Sequence, residues 1–188
     1  MEYAQWYDNS PVGRLFLTSD GEALTGLWFS GFQRFFDSSR TENVTQRSIP
    51  VLDEARQWLD IYFQGKDPGP IPAVNPQVTA FRREVCEIMC GIPYGETATY
   101  GSIAKELAAR RGKKSMSSQA VGGAVGHNPI GIIIPCHRVV GASGKLTGYG
   151  GGMDRKIALL ELEGFDMSQF TWDTAAAGEG MELTHATR

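Results

Sequence analysis

The sequence predicts an α/β chain of the α+β type, in which a small N-terminal antiparallel sheet-and-helix domain precedes a mostly helical C-terminal domain with a helix-turn-helix. Three observations carry that reading. Aromatic and β-branched stretches crowd the first 30 residues, helical periodicity takes over from residue 52, and a proline- and glycine-rich segment ends near residue 76.

Tyr3 to Tyr7, Leu15 to Thr18 and Leu24 to Phe29 are separated by Ser10-Pro11 and Asp20-Gly21, so they read as strands of an antiparallel sheet joined by tight turns. Leu52, Ala55, Leu59, Tyr62 and Phe63 fall at helical spacing between Pro50 and Gly65, which gives one amphipathic helix. Residues 66–76, with four prolines, read as an extended linker. Domains are therefore expected at 1–75 and 76–165, followed by a tail at 166–188 in which little structure is expected.

Past the linker, Phe81, Val85, Ile88 and Met89 form a helical face that starts after Thr79 and ends at Gly91-Ile92-Pro93. Cys86 and Cys90 lie on that helix and read as small buried residues, because no histidine or third cysteine stands near them to complete a metal site. Thr99 can cap a helix carrying Ile103 and Leu107, and Ser117-Ser118 a second one running through Val125. Gln119, Ala120, Gly122 and Gly123 give the second helix a face of small or short side chains. Two adjacent glycines weaken a helix by about 1 kcal/mol each, so something must offset them. Close approach of a nucleic-acid backbone and close packing on another helix both qualify. Ile130 to Ile134 read as a short buried strand stopped by Pro135, residues 141–152 as a glycine-rich loop, and Asp154 to Glu163 as a helix closed by Gly164.

The net charge is −3, which would argue against nucleic acid for a uniform body. Its distribution is uneven. Residues 76–164 hold eleven Lys and Arg against seven Asp and Glu, while the segments on either side are acidic. Arg110, Arg111, Lys113 and Lys114 concentrate the excess as a phosphate-contacting turn would, although a solvated loop has the same composition. Three cysteines are too few for a disulfide framework. No run is long and apolar enough for a membrane helix, and the first residues lack a signal peptide's basic start and apolar stretch. A cytoplasmic protein, or a nuclear one in a eukaryote, is expected.

Cys136-His137 leaves a buried apolar segment and enters the glycine-rich loop, as an activated nucleophile would. In an extended segment the two side chains point apart, so the histidine would take the thiol proton through a water. Such coupling predicts a thiol pKa below the free value of about 8.5. Glu163, at the negative end of a helix dipole, is the candidate for orienting the imidazole, since a cationic partner would offset its unfavourable position. Cysteine hydrolases share the Cys-His pair, and the dipeptide alone does not choose between hydrolysis and group transfer.

The longer run does. Asn128-Pro129, Ile134-Pro135-Cys136-His137-Arg138-Val139-Val140, Tyr149-Gly150-Gly151-Gly152 and Leu159 to Gly164 resemble the O6-alkylguanine-DNA alkyltransferase family over residues 76 to about 165. Residues 1–75 match only in general character. The resemblance implies irreversible, single-turnover transfer of an alkyl group from O6-alkylguanine in double-stranded DNA, with O4-alkylthymine as a second candidate lesion, to Cys136. It implies that His137 is the base acting through water, that Glu163 orients it, that Asn128 braces the turn, and that Tyr100 approaches the guanine and helps deliver a proton. Tyr149, the Gly150 amide and the Val139 backbone would line the base pocket. Gln119, Ala120, Gly122 and Gly123, the Arg110 to Lys114 turn and Arg138 are the expected DNA contacts. Gln119 departs from the arginine the family often places there, and brings no charge. No cofactor is expected, and no metal, since residues 1–85 contain neither cysteine nor histidine. A monomer with no membrane partner completes the expectation.

Overall fold

The computed structural model describes residues 2–31 and 44–172. Strands β1 (Tyr3–Tyr7), β2 (Leu15–Ser19), β3 (Leu24–Phe29) and β4 (Thr45–Gln46) make a sheet in the order β3-β2-β1-β4. The first three pair antiparallel, with Tyr7 opposite Leu15 and Leu15 opposite Phe29. β4 is not among the strands the sequence predicts, and it adds to β1 in parallel. Asp20 closes the β2–β3 turn by accepting from the backbone N–H groups of Glu22 and Ala23. The central strand β2 is buried along its whole length. One face of the sheet meets helix α1 (Pro50–Tyr62), which buries Leu52, Ala55 and Leu59 completely; the other gathers Ala4, Phe16 and Trp28 into a satellite cluster. Proline at the start of α1 suits a position whose N–H has no helical acceptor.

The free edge of β3 anchors both the linker and the segment that leads to Cys136. Leu24 donates its N–H to Ala73 and accepts from Asn75, so the extended linker is pinned along the strand. Leu27 donates to Pro129 and accepts from Gly131, fastening a second segment a few residues ahead of Cys136. An edge that would otherwise offer unpaired backbone groups is thereby covered.

Beyond the linker, α2 (Ala80–Cys90), α3 (Tyr100–Arg110) and α4 (Ser118–Val125) pack together through Val85, Met89, Ile103, Leu107, Val121 and Val125. Each has the side-chain cap its sequence suggests: Thr79 for α2, a reciprocal Thr99–Ser102 box for α3 and Ser117 for α4. The short parallel pair β5 (Ala98–Thr99) and β6 (Val139–Val140) ties the start of α3 to the segment after Cys136. Helix α5 (Met153–Leu162) ends at Glu163, with Gly164 at a φ of 86° as the left-handed stop. A single cluster of buried side chains runs from the sheet through α1 into these helices.

Two expectations are corrected. Residues 130–134 are buried but do not form a strand: only Ile130 bridges to β3, and Ile134 donates back to Ile130 in a turn with Ile132 at a φ of 66°. The apolar run signals burial correctly, but it cannot distinguish a strand from a buried turn. Of the expected tail, residues 167–172 are ordered. Met167–Gln169 form a 3₁₀ turn, Phe170 packs on Leu160 and Met153, and Leu146 donates to Thr171. Residues 173–188, including the alanine-rich stretch, lie outside the described residues. Among the described residues no helix is long and apolar enough to cross a membrane.

Candidate active site

Cys136, His137 and Arg138 form one 3₁₀ turn directly after Pro135, so the extended geometry assumed from sequence is replaced by a tight one. Asn128 holds the turn that precedes it. Its side-chain amide donates to the carbonyls of Ile134 (2.8 Å) and Ile130 (3.3 Å), while its oxygen accepts from the Ile130 N–H. The Ile130 N–H would otherwise be a buried orphan, while the two carbonyls also accept the backbone N–H groups of Ile134 and Cys136; together these bonds hold Ile132 in a conformation a β-branched residue rarely adopts.

Glu163 is the hub of the buried polar network. His137 Nε2 lies 2.7 Å from its Oε1, Tyr62 donates its hydroxyl to the same oxygen at 2.8 Å, and the Gly95 N–H donates to Oε2. Arg138 donates from Nε and Nη2 to the carboxylate and from Nη1 to the Ile92 carbonyl. Burial alone would raise the Glu163 pKa, but the hydrogen bonds from His137 and Arg138, with the Arg138 charge, outweigh it and hold the carboxyl at about 2. An ionised carboxylate only accepts, so His137 must carry its proton on Nε2. Nδ1 is then an acceptor, buried and without a hydrogen-bond partner among the described residues. Burial lowers the imidazole pKa despite Glu163.

The Cys136 thiol is nearly buried, at 8% exposure. Contrary to the expectation of a depressed pKa, burial pushes it up, against smaller lowering effects of the Asn128 amide, the Lys156 ammonium and the Tyr149 hydroxyl. The resting pair is a neutral thiol and a neutral imidazole. Burial also drives Cys86 to about 12 and Cys90 to about 11, so neither competes as a thiolate. Cys136 opens onto a cavity of about 40 Å³ that it shares with Asn128, Tyr149, Gly150, Gly131 and Phe29.

Sequence reasoning missed two residues. Lys156 is fully buried, donates to the Val139 carbonyl at 2.7 Å, and is lowered to about 8 by burial, with the Cys136 charge opposing. Its signal is present in the spacing: Met153, Lys156, Leu159, Leu160 and Glu163 share the inward face of α5. Tyr62 reads in the sequence only as part of an apolar helix face. It stacks on Trp58, at a centroid distance of 5.4 Å, and delivers its hydroxyl to Glu163 from across the linker.

The expected DNA contacts divide. Gln119, Ala120 and Gly123 are exposed on α4, and Gln119 and Gly122 line an open cleft of about 680 Å³ together with Tyr100, Thr147 and Gly148. Tyr100 lines this cleft rather than the Cys136 cavity, yet lies close enough to Cys136 to interact with it electrostatically. Its hydroxyl accepts from Thr147, and burial raises its pKa. Val139 is fully buried and does not line that cavity either. Arg138 is corrected outright, because its guanidinium is buried and engaged by Glu163 and Ile92 and so is not placed to meet DNA. The basic turn is also weaker than its composition suggests. Arg110 pairs with Glu106, and Arg111 donates twice to Glu84, leaving Lys113 and Lys114 as the exposed cations without an ion-pair partner among the described residues.

Comparison with known proteins agrees with this arrangement. Residues 80–165 match the DNA-binding domain of 6-O-methylguanine DNA methyltransferase, and residues 3–69 match the ribonuclease-like domain of the same enzyme. The chain is 43% identical over 155 residues to the methylated-DNA–protein-cysteine methyltransferase of Mycobacterium tuberculosis, covering 82% of this chain and 88% of that one. It is 40% identical over 159 residues to the protein of that name from Haemophilus influenzae, covering 84% of each. A crystal structure of Mycobacterium tuberculosis OGT in complex with DNA superimposes with a TM-score of 0.70 at 40% identity, over 89% of this chain and 94% of that one. With both of its halves matched and its relatives covered nearly from end to end, the chain belongs to the 6-O-methylguanine DNA methyltransferase family.

Proposed function

We propose that this protein repairs DNA by moving the alkyl group from the O6 atom of guanine onto Cys136, once per molecule. One observation carries the assignment of residues: a buried cysteine lining a small cavity is adjacent in sequence to a histidine whose Nε2 is held by an ionised carboxylate and whose Nδ1 is left as a free acceptor. The division of labour between a unit at 1–75 and one at 76–165 belongs to the same proposal, as does action as a monomer in the cytoplasm.

A lesion inside a base pair cannot be aligned for in-line attack by a protein sulfur, so the nucleotide is extruded at a cost of a few kcal/mol. Gln119, Ala120, Gly122 and Gly123 present a helix face with little side-chain bulk to the duplex, and Tyr100 stands in the adjoining cleft. As Sγ forms its bond to the alkyl carbon, the carbon–O6 bond breaks and its electrons pass into the guanine ring. The thiol proton moves through a water to His137 Nδ1, and Glu163 stabilises the resulting imidazolium. Because the Tyr100 hydroxyl accepts from Thr147, its own proton remains available to the leaving guanine. Tyr149 and the Gly150 amide contribute to the base pocket, and the Val139 carbonyl, engaged by Lys156, backs the segment behind it. The thioether product is inert to thiol exchange, so the reaction ends after one event.

Intact-mass measurement after mixing with a duplex containing O6-methylguanine tests this reading. One added methyl group per protein, mapped to Cys136 and abolished by Cys136→Ala, is the expected result. Repeated turnover, or a methyl group on Cys86 or Cys90, would overturn it.

A further inference from the structure

A thioether formed at Cys136 must place its carbon substituent in the space the sulfur faces, so the cavity there bounds the alkyl group that can be taken. That space is about 40 Å³. An enclosed apolar cavity that takes up benzene measures about 150 Å³; this one is open on one side, where the base enters, so the walls around Sγ rather than the total volume limit the substituent.

The wall beside Gly131 and Gly151 comes from the other half of the chain. Phe29, the last residue of β3, lies edge-on to Tyr149 with ring centroids 6.1 Å apart. A Cβ on Gly151 would meet its ring at 2.6 Å, and one on Gly131 would come to 3.6 Å. The ring occupies the room that side chains at those two positions would take. It is also held in place: the Arg155 guanidinium sits 5.0 Å from the ring centroid and donates to the carbonyls of Val12 (2.7 Å) and Gly151 (2.8 Å). We infer that Phe29 is the end wall of the alkyl subsite and makes this protein selective for short alkyl groups, methyl and ethyl, over bulky ones. This rests on the reading of Cys136 as the alkyl acceptor, and it assigns a specificity-determining role to a residue of the N-terminal sheet.

The test is single-turnover transfer from otherwise identical duplexes carrying O6-methyl-, O6-ethyl- or O6-benzylguanine, followed by the mass added at Cys136. Phe29→Leu should raise the benzyl-to-methyl rate ratio by about tenfold or more over wild type, since a single methylene in an apolar pocket is worth roughly 10- to 200-fold. Gly131→Ala changes the cavity in the opposite sense, its new methyl fitting at ordinary contact distances from Leu27 and Phe29; it should lower the ethyl-to-methyl ratio, and it decides the matter if Phe29→Leu fails to fold. Unchanged ratios with methyl transfer intact overturn the wall alone. No adduct from any of the three lesions on wild type overturns the acceptor reading, and the subsite with it.

Discussion

Tyr62 and His137, 75 positions apart, meet at one oxygen of Glu163: the tyrosine hydroxyl donates to it at 2.8 Å and the imidazole Nε2 lies 2.7 Å away. The helix that packs on the N-terminal sheet therefore contributes directly to the orientation of the histidine. Tyr62→Phe should cost about 1 kcal/mol of stability, as loss of one hydrogen bond does, and should slow transfer. Glu163→Gln should cost far more, about 3–5 kcal/mol, because it leaves Arg138 buried without its counter-charge. Urea unfolding of both variants checks the ranking; equal losses would contradict the role of Glu163 as the hub.

Acid should weaken this protein through the same group. The Glu163 pKa is about 2 when folded, below its ordinary value of 4.5, so the unfolded chain binds the proton first as the pH falls. Its contribution is fully present above pH 4.5 and is lost as the pH drops towards 2. His137 acts in the same sense at higher pH: it is buried neutral, with a lowered pKa, and favours the unfolded state once the pH falls below about 6.5. Stability followed from pH 7 to pH 2 should fall in both windows. Glu163→Gln should flatten the lower one, and an unaltered acid limb would remove Glu163 from the account.

Burial raises the Cys136 thiol, and Lys156 is among the groups that pull it back. The pH profile for alkylation of Cys136 by a small haloalkane should therefore have its inflection above the ordinary thiol range. Lys156→Met should move it higher still. A profile centred below about pH 8.5 in wild type, or one indifferent to Lys156→Met, would contradict this electrostatic picture.

Salt dependence separates the free cations from the engaged ones. Neutralising Lys113 and Lys114 should flatten the dependence of duplex binding on salt by up to about one counterion per lost phosphate contact. Replacing Arg110 and Arg111 should do less, because Glu106 and Glu84 already neutralise them. Gln119→Arg should steepen the dependence by about one counterion. Fluorescence anisotropy across a salt series reads all of these, and an unchanged slope on neutralising the lysine pair would place the phosphate-contacting surface elsewhere.

Local structure was the most legible part of the sequence. β1 and β3 fall where alternation and turn residues put them, and α2 to α4 begin at the caps that Thr79, Thr99 and Ser117 announce, because a strand or a helix start is specified within a few residues. The turn at 130–134 was not legible, since its shape depends on Asn128 and on the edge of β3, both outside the apolar run. Partner choice escaped for the same reason. Arg138 and Arg111 are both plausible phosphate ligands in one dimension, and only the fold brings Glu163 and Glu84 to them; the Glu106–Arg110 pair is local, four residues apart on α3. Lys156 was concealed by composition: one lysine in an α5 stripe of methionine and leucine looks like a solvated residue until its Nζ is found on the Val139 carbonyl.

The covered edge of β3 has a consequence for how the halves are joined. Leu24 is bonded to Ala73 and Asn75, Leu27 to Pro129 and Gly131, and the buried cluster runs on from the sheet into α2 to α5. Cohesion between the two parts thus resides in backbone pairing and packed side chains rather than in the covalent continuity of residues 66–72. A protease nick in that stretch should leave an assembled, reactive particle that migrates as one species until denaturant is added. Two separately expressed fragments broken there should recombine into a working alkyl acceptor.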